Sequence, residues 1–188
     1  MRTIYLGSAI CRMNGRGGVV MPPEFRRTAN CQKNISQLVV GLHRTSKCLV
    51  VCQESFLTKQ HDNSFEYRNR LAPDQLIEHH DRLRRAYGFV DYFTMDHKGS
   101  VNIPPLMCQL AGLGESLFLI AAGETFEIWD LEQLMATGPA DLKLLASHMT
   151  NDKSCKEAGN EKDEFAVPHA RSLSGRAGNH IGPGLRIQ

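Results

Sequence analysis

The apolar and polar positions of this 188-residue chain fall into two matching halves. In the first, residues 3–12 alternate as a strand, and Asn14-Gly15-Arg16-Gly17-Gly18 follows as a turn whose glycines can take positive φ. Val19-Val20-Met21 reads as a short strand. Pro22-Pro23-Glu24 then starts a brief helix, with proline tolerated in its first turn and a carboxylate favoured at its positive end. Two further apolar strands are predicted around 37–41 and 48–52. The second half repeats the layout: Val90 to Met95, the turn Asp96-His97-Lys98-Gly99-Ser100, Val101 to Ile103, a helix near 105–111, and strands at 117–122 and 126–130. Each half reads β-turn-β-α-β-β.

The match extends to residue identity. Met13, Gly17, Val19, Pro22 and Pro23 recur 82 positions later as Met95, Gly99, Val101, Pro104 and Pro105. The same offset pairs Gly41 with Gly123, each closing an apolar run. A duplicated module follows, and each copy is too short to bury much by itself, so the two are expected to share one core. Between them, residues 54–71 form a polar helical segment with Phe56, Leu57, Phe65 and Leu71 as its apolar positions. Ala72-Pro73-Asp74 then breaks it before a second helix carrying Leu76, Ile77, Leu83 and Tyr87. Apolar stripes on this αα-hairpin predict that the modules dock on each other. The expected organisation is α+β, with modules at 3–54 and 89–133, a helical connector at 55–88, a C-terminal helix at 134–148 and a disordered tail at 149–188. Gly175, Gly178, Gly182, Pro183 and Gly184 leave the end of that tail little to bury.

Charge separates the copies. Residues 1–54 hold eight Lys/Arg against two Asp/Glu, a net of +6, whereas residues 89–133 hold one Lys against seven Asp/Glu, a net of −6. A concentrated positive face suits a polyanion, which the acidic copy would repel. Opposite charge also helps the two modules, or neighbouring chains, to dock.

Other chemistry is thin. No apolar run approaches the roughly 18–20 residues that span a bilayer, and Ile4 to Cys11, broken by Gly7-Ser8, is too short for a signal sequence. The six cysteines form no CxxC pair and are expected to be reduced and mostly packed in the interior. His79-His80-Asp81 cannot share a metal ion on a helix, because adjacent residues splay about 100° apart. No phosphate-binding Gly-Lys-Ser/Thr motif or Gly-x-Ser-x-Gly elbow occurs. Neither an enzyme nor a cofactor is expected.

The turn-strand-proline-helix unit occurring twice, Pro22-Pro23-Glu24-Phe25-Arg26, and above all Gly123-Glu124-Thr125-Phe126-Glu127-Ile128-Trp129-Asp130, closely resemble the MraZ family of bacterial regulators from about residue 3 to 145. The resemblance implies two tandem AbrB/SpoVT-like swapped-hairpin modules packed together. It also implies a ring-like homo-oligomer that binds repeated double-stranded promoter elements of the division and cell-wall genes, generally as a repressor, in the cytoplasm on the nucleoid. The family pattern is Asp-x-x-Gly-Arg before the Val-Pro strand. Aligning on Pro22 places Asn14 and Gly18 at the Asp and Arg positions of the first copy, and Asp96 and Ser100 at those of the second. Both motif arginines are thus replaced. An alignment shifted by two would set Arg16 at the arginine position, but it needs an insertion before Pro22 and leaves Arg12 where Asp belongs. The remaining candidates for DNA contact are Arg12, Arg16, Arg26, Arg27 and Lys98, which suit phosphate attraction better than base readout. An assembly protein that keeps the scaffold and has lost specific recognition is the alternative.

Overall fold

The structure, a computed structural model, describes residues 4–29 and 35–160. The first copy comprises β1 (Ser8–Arg12), β2 (Gly18–Val20), α1 (Pro23–Thr28), β3 (Ile35–Leu42) and β4 (Leu49–Cys52). A connector follows, with α2 (Glu54–Arg68) and α3 (Leu76–Gly88). The second copy holds β5 (Val90–Asp96), β6 (Ser100–Asn102), α4 (Pro105–Ala111), β7 (Ser116–Ala122) and β8 (Thr125–Asp130). Helices α5 (Leu131–Thr137) and α6 (Ala140–Asn160) end the described chain. The expected α+β class and the repeated β-turn-β-α-β-β layout both stand.

The copies do not lie side by side; their strands interleave. Six antiparallel strands run β1-β7-β8-β4-β3-β5, and β2 pairs with β6 in a separate two-stranded ribbon. Exchanging each strand for its counterpart in the other copy reverses this order onto itself, so the sheet has an internal pseudo-two-fold. Its axis passes the pair Val19↔Val101 in the ribbon and the pair Val50↔Glu127 in the sheet. The offset is 82 at the first pair, 79 between the third strands and 77 at the second pair, because the first copy has the longer links on both sides of its third strand.

That change of offset corrects one expected pairing. Ser8 lies opposite Ile120, and its counterpart Val90 lies opposite Gly41. Gly41 is therefore the equivalent of Ile120, inside a strand, whereas Gly123 sits in the β7–β8 hairpin at φ +76°. The first strand is also shorter than residues 3–12 suggest. Gly7 at φ +89° bends the chain before Ser8, and Tyr5 makes an isolated bridge to Gly123.

Two apolar layers hold the sheet. On one face, Leu38, Val40, Leu49, Val51, Phe93, Leu117, Leu119 and Phe126 pack with Val19 and Val101 of the ribbon, Phe25 of α1 and Met107 of α4. The aromatic centre of this layer joins the copies: Phe126 meets Phe25 edge-on at 5.1 Å and Tyr5 at 4.9 Å. On the opposite face, Cys48, Phe118 and Trp129 lie beneath Leu134 of α5 and Ala146 of α6. Because β7 is covered on both faces, Leu117, Phe118 and Leu119 are all buried, which explains its uninterrupted apolar run.

The connector contributes less than its apolar positions imply. Helix α2 buries no residue, α3 buries only His79, and Phe65 and Ile77 stand 57% and 75% exposed. Strand exchange unites the copies, because a buried sheet satisfies backbone donors and acceptors that a helical stripe cannot reach. At the C-terminus, α6 continues to Asn160, beyond the expected end at 148, so the tail expected from 149 begins as helix; residues 161–188 lie outside the described residues. No helix among the described residues is long and apolar enough to cross a membrane.

Candidate nucleic-acid interface

Each turn is built by one side chain. Asn14 Oδ1 accepts hydrogen bonds from the backbone N–H groups of Arg16 (3.0 Å) and Gly18 (2.8 Å). Asp96 Oδ1 does the same for Lys98 (2.9 Å) and Ser100 (2.8 Å). Short Asx side chains fold back in this way because their oxygen reaches the amides two and four residues on. Gly17 and Gly99 complete the turns at φ +83° and +84°, a region that L side chains enter only with strain. The matched bonds make Asn14 the structural equivalent of Asp96, and Arg16 that of Lys98, in agreement with the alignment on Pro22. The alignment shifted by two has no such geometric support.

The tertiary structure brings these distant turns together. Gly17 O accepts from Ile103 N–H and Gly99 O accepts from Met21 N–H, both at 2.9 Å, so each turn is bonded to the chain leaving the other copy's ribbon strand. Gly18 pairs with Asn102 and Ser100 with Val20. At about 3.3 Å per residue the two motif positions stand roughly 7 Å apart along one ribbon. Both line a groove of about 460 Å³ together with Arg12, Asn14 and Val20. A Cβ at Gly18 would lie 2.5 Å from Asn14 Nδ2, so in this chain the asparagine amide fills the space beside the missing first arginine.

The five basic candidates divide by position. Arg16 and Lys98 are exposed at the two turn tips, and Arg12 is exposed at the end of β1 beside the groove. Arg27 is exposed on α1, its Nε only 3.4 Å from its own helix's Pro23 carbonyl. Arg26 leaves the first copy altogether: its Nη1 donates to the Lys98 carbonyl oxygen at 2.8 Å. Nothing in local sequence signals a contact across 72 residues. The backbone amides of Ser100 and Lys98 hold the Asp96 carboxyl below the usual carboxylate range, and the charges of His97 and Lys98 add to the effect.

The terminal run of the second copy is structural. Trp129 Nε1 donates to Glu127 Oε2 at 2.8 Å. Asp130 caps α5 by accepting from Gln133 N–H, and its second oxygen accepts from Gly114 N–H, each at 2.8 Å. Cys48 and Cys52 are buried and unpaired, and burial pushes the Cys52 thiol up to about 11 and Cys48 higher still. Cys31 and Cys155 lie where side chains are not described. Among the described residues no three His, Cys, Asp or Glu side chains converge on a metal position.

No protein-family model matches the chain. Individual proteins do. The transcriptional regulator MraZ of Arthrobacter sp. (strain FB24) is 29% identical over 132 residues, which cover 69% of this chain and 83% of that protein. The transcriptional regulator MraZ of Paenarthrobacter aurescens (strain TC1) is 26% identical over 129 residues, 69% of this chain and 82% of its own length. That of Bacteroides fragilis (strain YCH46) is 28% identical over 133 residues, 69% and 78% respectively. With the duplicated turns and the Phe126-to-Asp130 run in place, the chain is similar along most of its length to MraZ proteins, which are named transcriptional regulators.

Proposed function

We propose that this chain regulates transcription by binding promoter DNA through the ribbon that carries its two turns, and that it represses the division and cell-wall gene cluster. The observation that carries the reading is the matched pair of Asx turns, which present Arg16 and Lys98 from symmetry-related places on one ribbon. Exposed lysine and arginine at turn tips attract phosphate oxygens, and Arg12 and Arg27 extend the positive surface of the +6 copy. Neighbouring subunits of a ring-like homo-oligomer, docking through the opposite charges of the copies, would add avidity across repeated elements. Such a protein works in the cytoplasm on the nucleoid. The boundaries 3–54 and 89–133 mark the paired modules in this reading.

The test is an anisotropy titration with the DNA upstream of the chain's own gene, at two salt concentrations and against scrambled competitor. Specific regulation requires tighter binding to the upstream DNA and weaker binding for Arg16→Ala. Equal affinity for both DNAs overturns specific regulation. A second reading, an assembly protein with weak DNA binding, is favoured by Gly18 and Ser100 standing where the family pattern has arginine. An intact oligomer with no measurable DNA affinity would select it.

A further inference from the structure

The two turns share their internal hydrogen bonds and differ in what lies over them. Above the second turn runs Arg26 of the first copy's helix. A Cβ built on Gly99 would meet Arg26 Cδ at 1.9 Å and Cγ at 2.7 Å, so the arginine stem is pressed against the glycine while Nη1 holds the Lys98 carbonyl. The counterpart of Arg26 at the 82-residue offset is Cys108. Its sulfur stops at Met13 Sδ (3.9 Å) and the Ile103 carbonyl (3.8 Å). The space an arginine would fill there is instead a groove of about 500 Å³, lined by Arg16, Gly17, Ile103, Cys108 and Gln109 among others.

We propose that Arg26 is a positioning residue, a brace from the first module that fixes the second module's turn, and that the first turn lacks its brace. A guanidinium hydrogen bond to a carbonyl is stronger than a neutral one, and a packed stem removes freedom that a turn of five residues otherwise keeps. Lys98 is thereby held ready in the acidic copy, whereas Arg16 must be ordered by whatever it binds. The inference refines the DNA-binding reading by separating a contact residue from the residue that sets its geometry.

The test is amide hydrogen exchange on the full-length protein without DNA, in which the first turn serves as internal control. Arg26→Met, which keeps the stem and removes the donor, should speed exchange at Lys98 and Ser100 about tenfold, the effect of losing one charge-assisted hydrogen bond, and leave Arg16 and Gly18 unchanged. Arg26→Lys should largely restore protection. The mirror variant Cys108→Arg should slow exchange at Arg16 and Gly18. Unchanged exchange at the second turn in Arg26→Met, or equal acceleration in both turns, overturns the brace. If Arg26→Met does not fold, Cys108→Arg decides alone, and no slowing at the first turn overturns it. Exchange is read without DNA, so a failure here leaves DNA binding standing, and absence of DNA binding leaves the brace standing.

Discussion

Asn14 and Asp96 make the same pair of backbone hydrogen bonds, yet only Asp96 carries a proton that pH can move. Its carboxyl is held below its ordinary value, so the charged form stabilises the folded turn above the unfolded carboxylate range near pH 4, and that contribution is lost as pH falls through the lower folded value. The amide resonances of Lys98 and Ser100 should therefore titrate at acid pH while those of Arg16 and Gly18 stay flat; flat profiles at both turns would contradict the hydrogen-bond assignment. In the core, Phe126 is 1% exposed and touches aromatic rings from the other copy. Phe126→Ala should destabilise the protein by about 3–5 kcal/mol in urea unfolding, from lost burial and the cavity left behind. Asp130→Ala, which removes a helix cap and strands the Gly114 amide, should cost about 1–3 kcal/mol by the same measurement.

The turns were legible in sequence because what forms them lies within five residues: an Asx acceptor and a glycine able to take positive φ. The connector was misjudged for the opposite reason. Helical spacing of Leu76, Ile77, Leu83 and Tyr87 says that one face is apolar, but not that anything covers it, and Ile77 remains 75% exposed. The ribbon's weak point as a DNA reader is also local. Ser100 is half-buried at the groove where the family pattern has arginine, and restoring it gives a direct assay. Under the proposed function, Ser100→Arg should tighten binding to the upstream DNA, and Lys98→Ala should reduce the slope of log affinity against log salt by about 1, the signature of one lost phosphate contact. An unchanged slope would place Lys98 away from the DNA.

Across the whole molecule, stability and charge follow from strand exchange. Among the described residues β1 pairs only with β7, and β3 pairs with both β4 and β5, so neither copy forms the sheet from its own strands. A polypeptide of residues 1–71 should be unfolded as a monomer by circular dichroism, and co-expression with residues 72–160 should recover a folded complex. A folded monomeric 1–71 fragment would refute the interleaved topology. The same exchange places Arg26 of the basic copy on the turn of the acidic one, which moderates the +6/−6 division at the place where Lys98 is presented.

Sequence by itself determined the duplication, the order of elements in each copy, the two turns and the replacement of both motif arginines. These depend on residue identity and on contacts between near neighbours. Only the tertiary structure decided that the copies interleave, that Gly41 corresponds to Ile120, and that Arg26 crosses to the opposite turn. Alternation along a strand specifies which face is buried, but backbone donors and acceptors are alike at every residue, so it does not specify which strand will lie alongside. That choice is made by the packing of Phe25, Phe126 and their neighbours from both copies in one core.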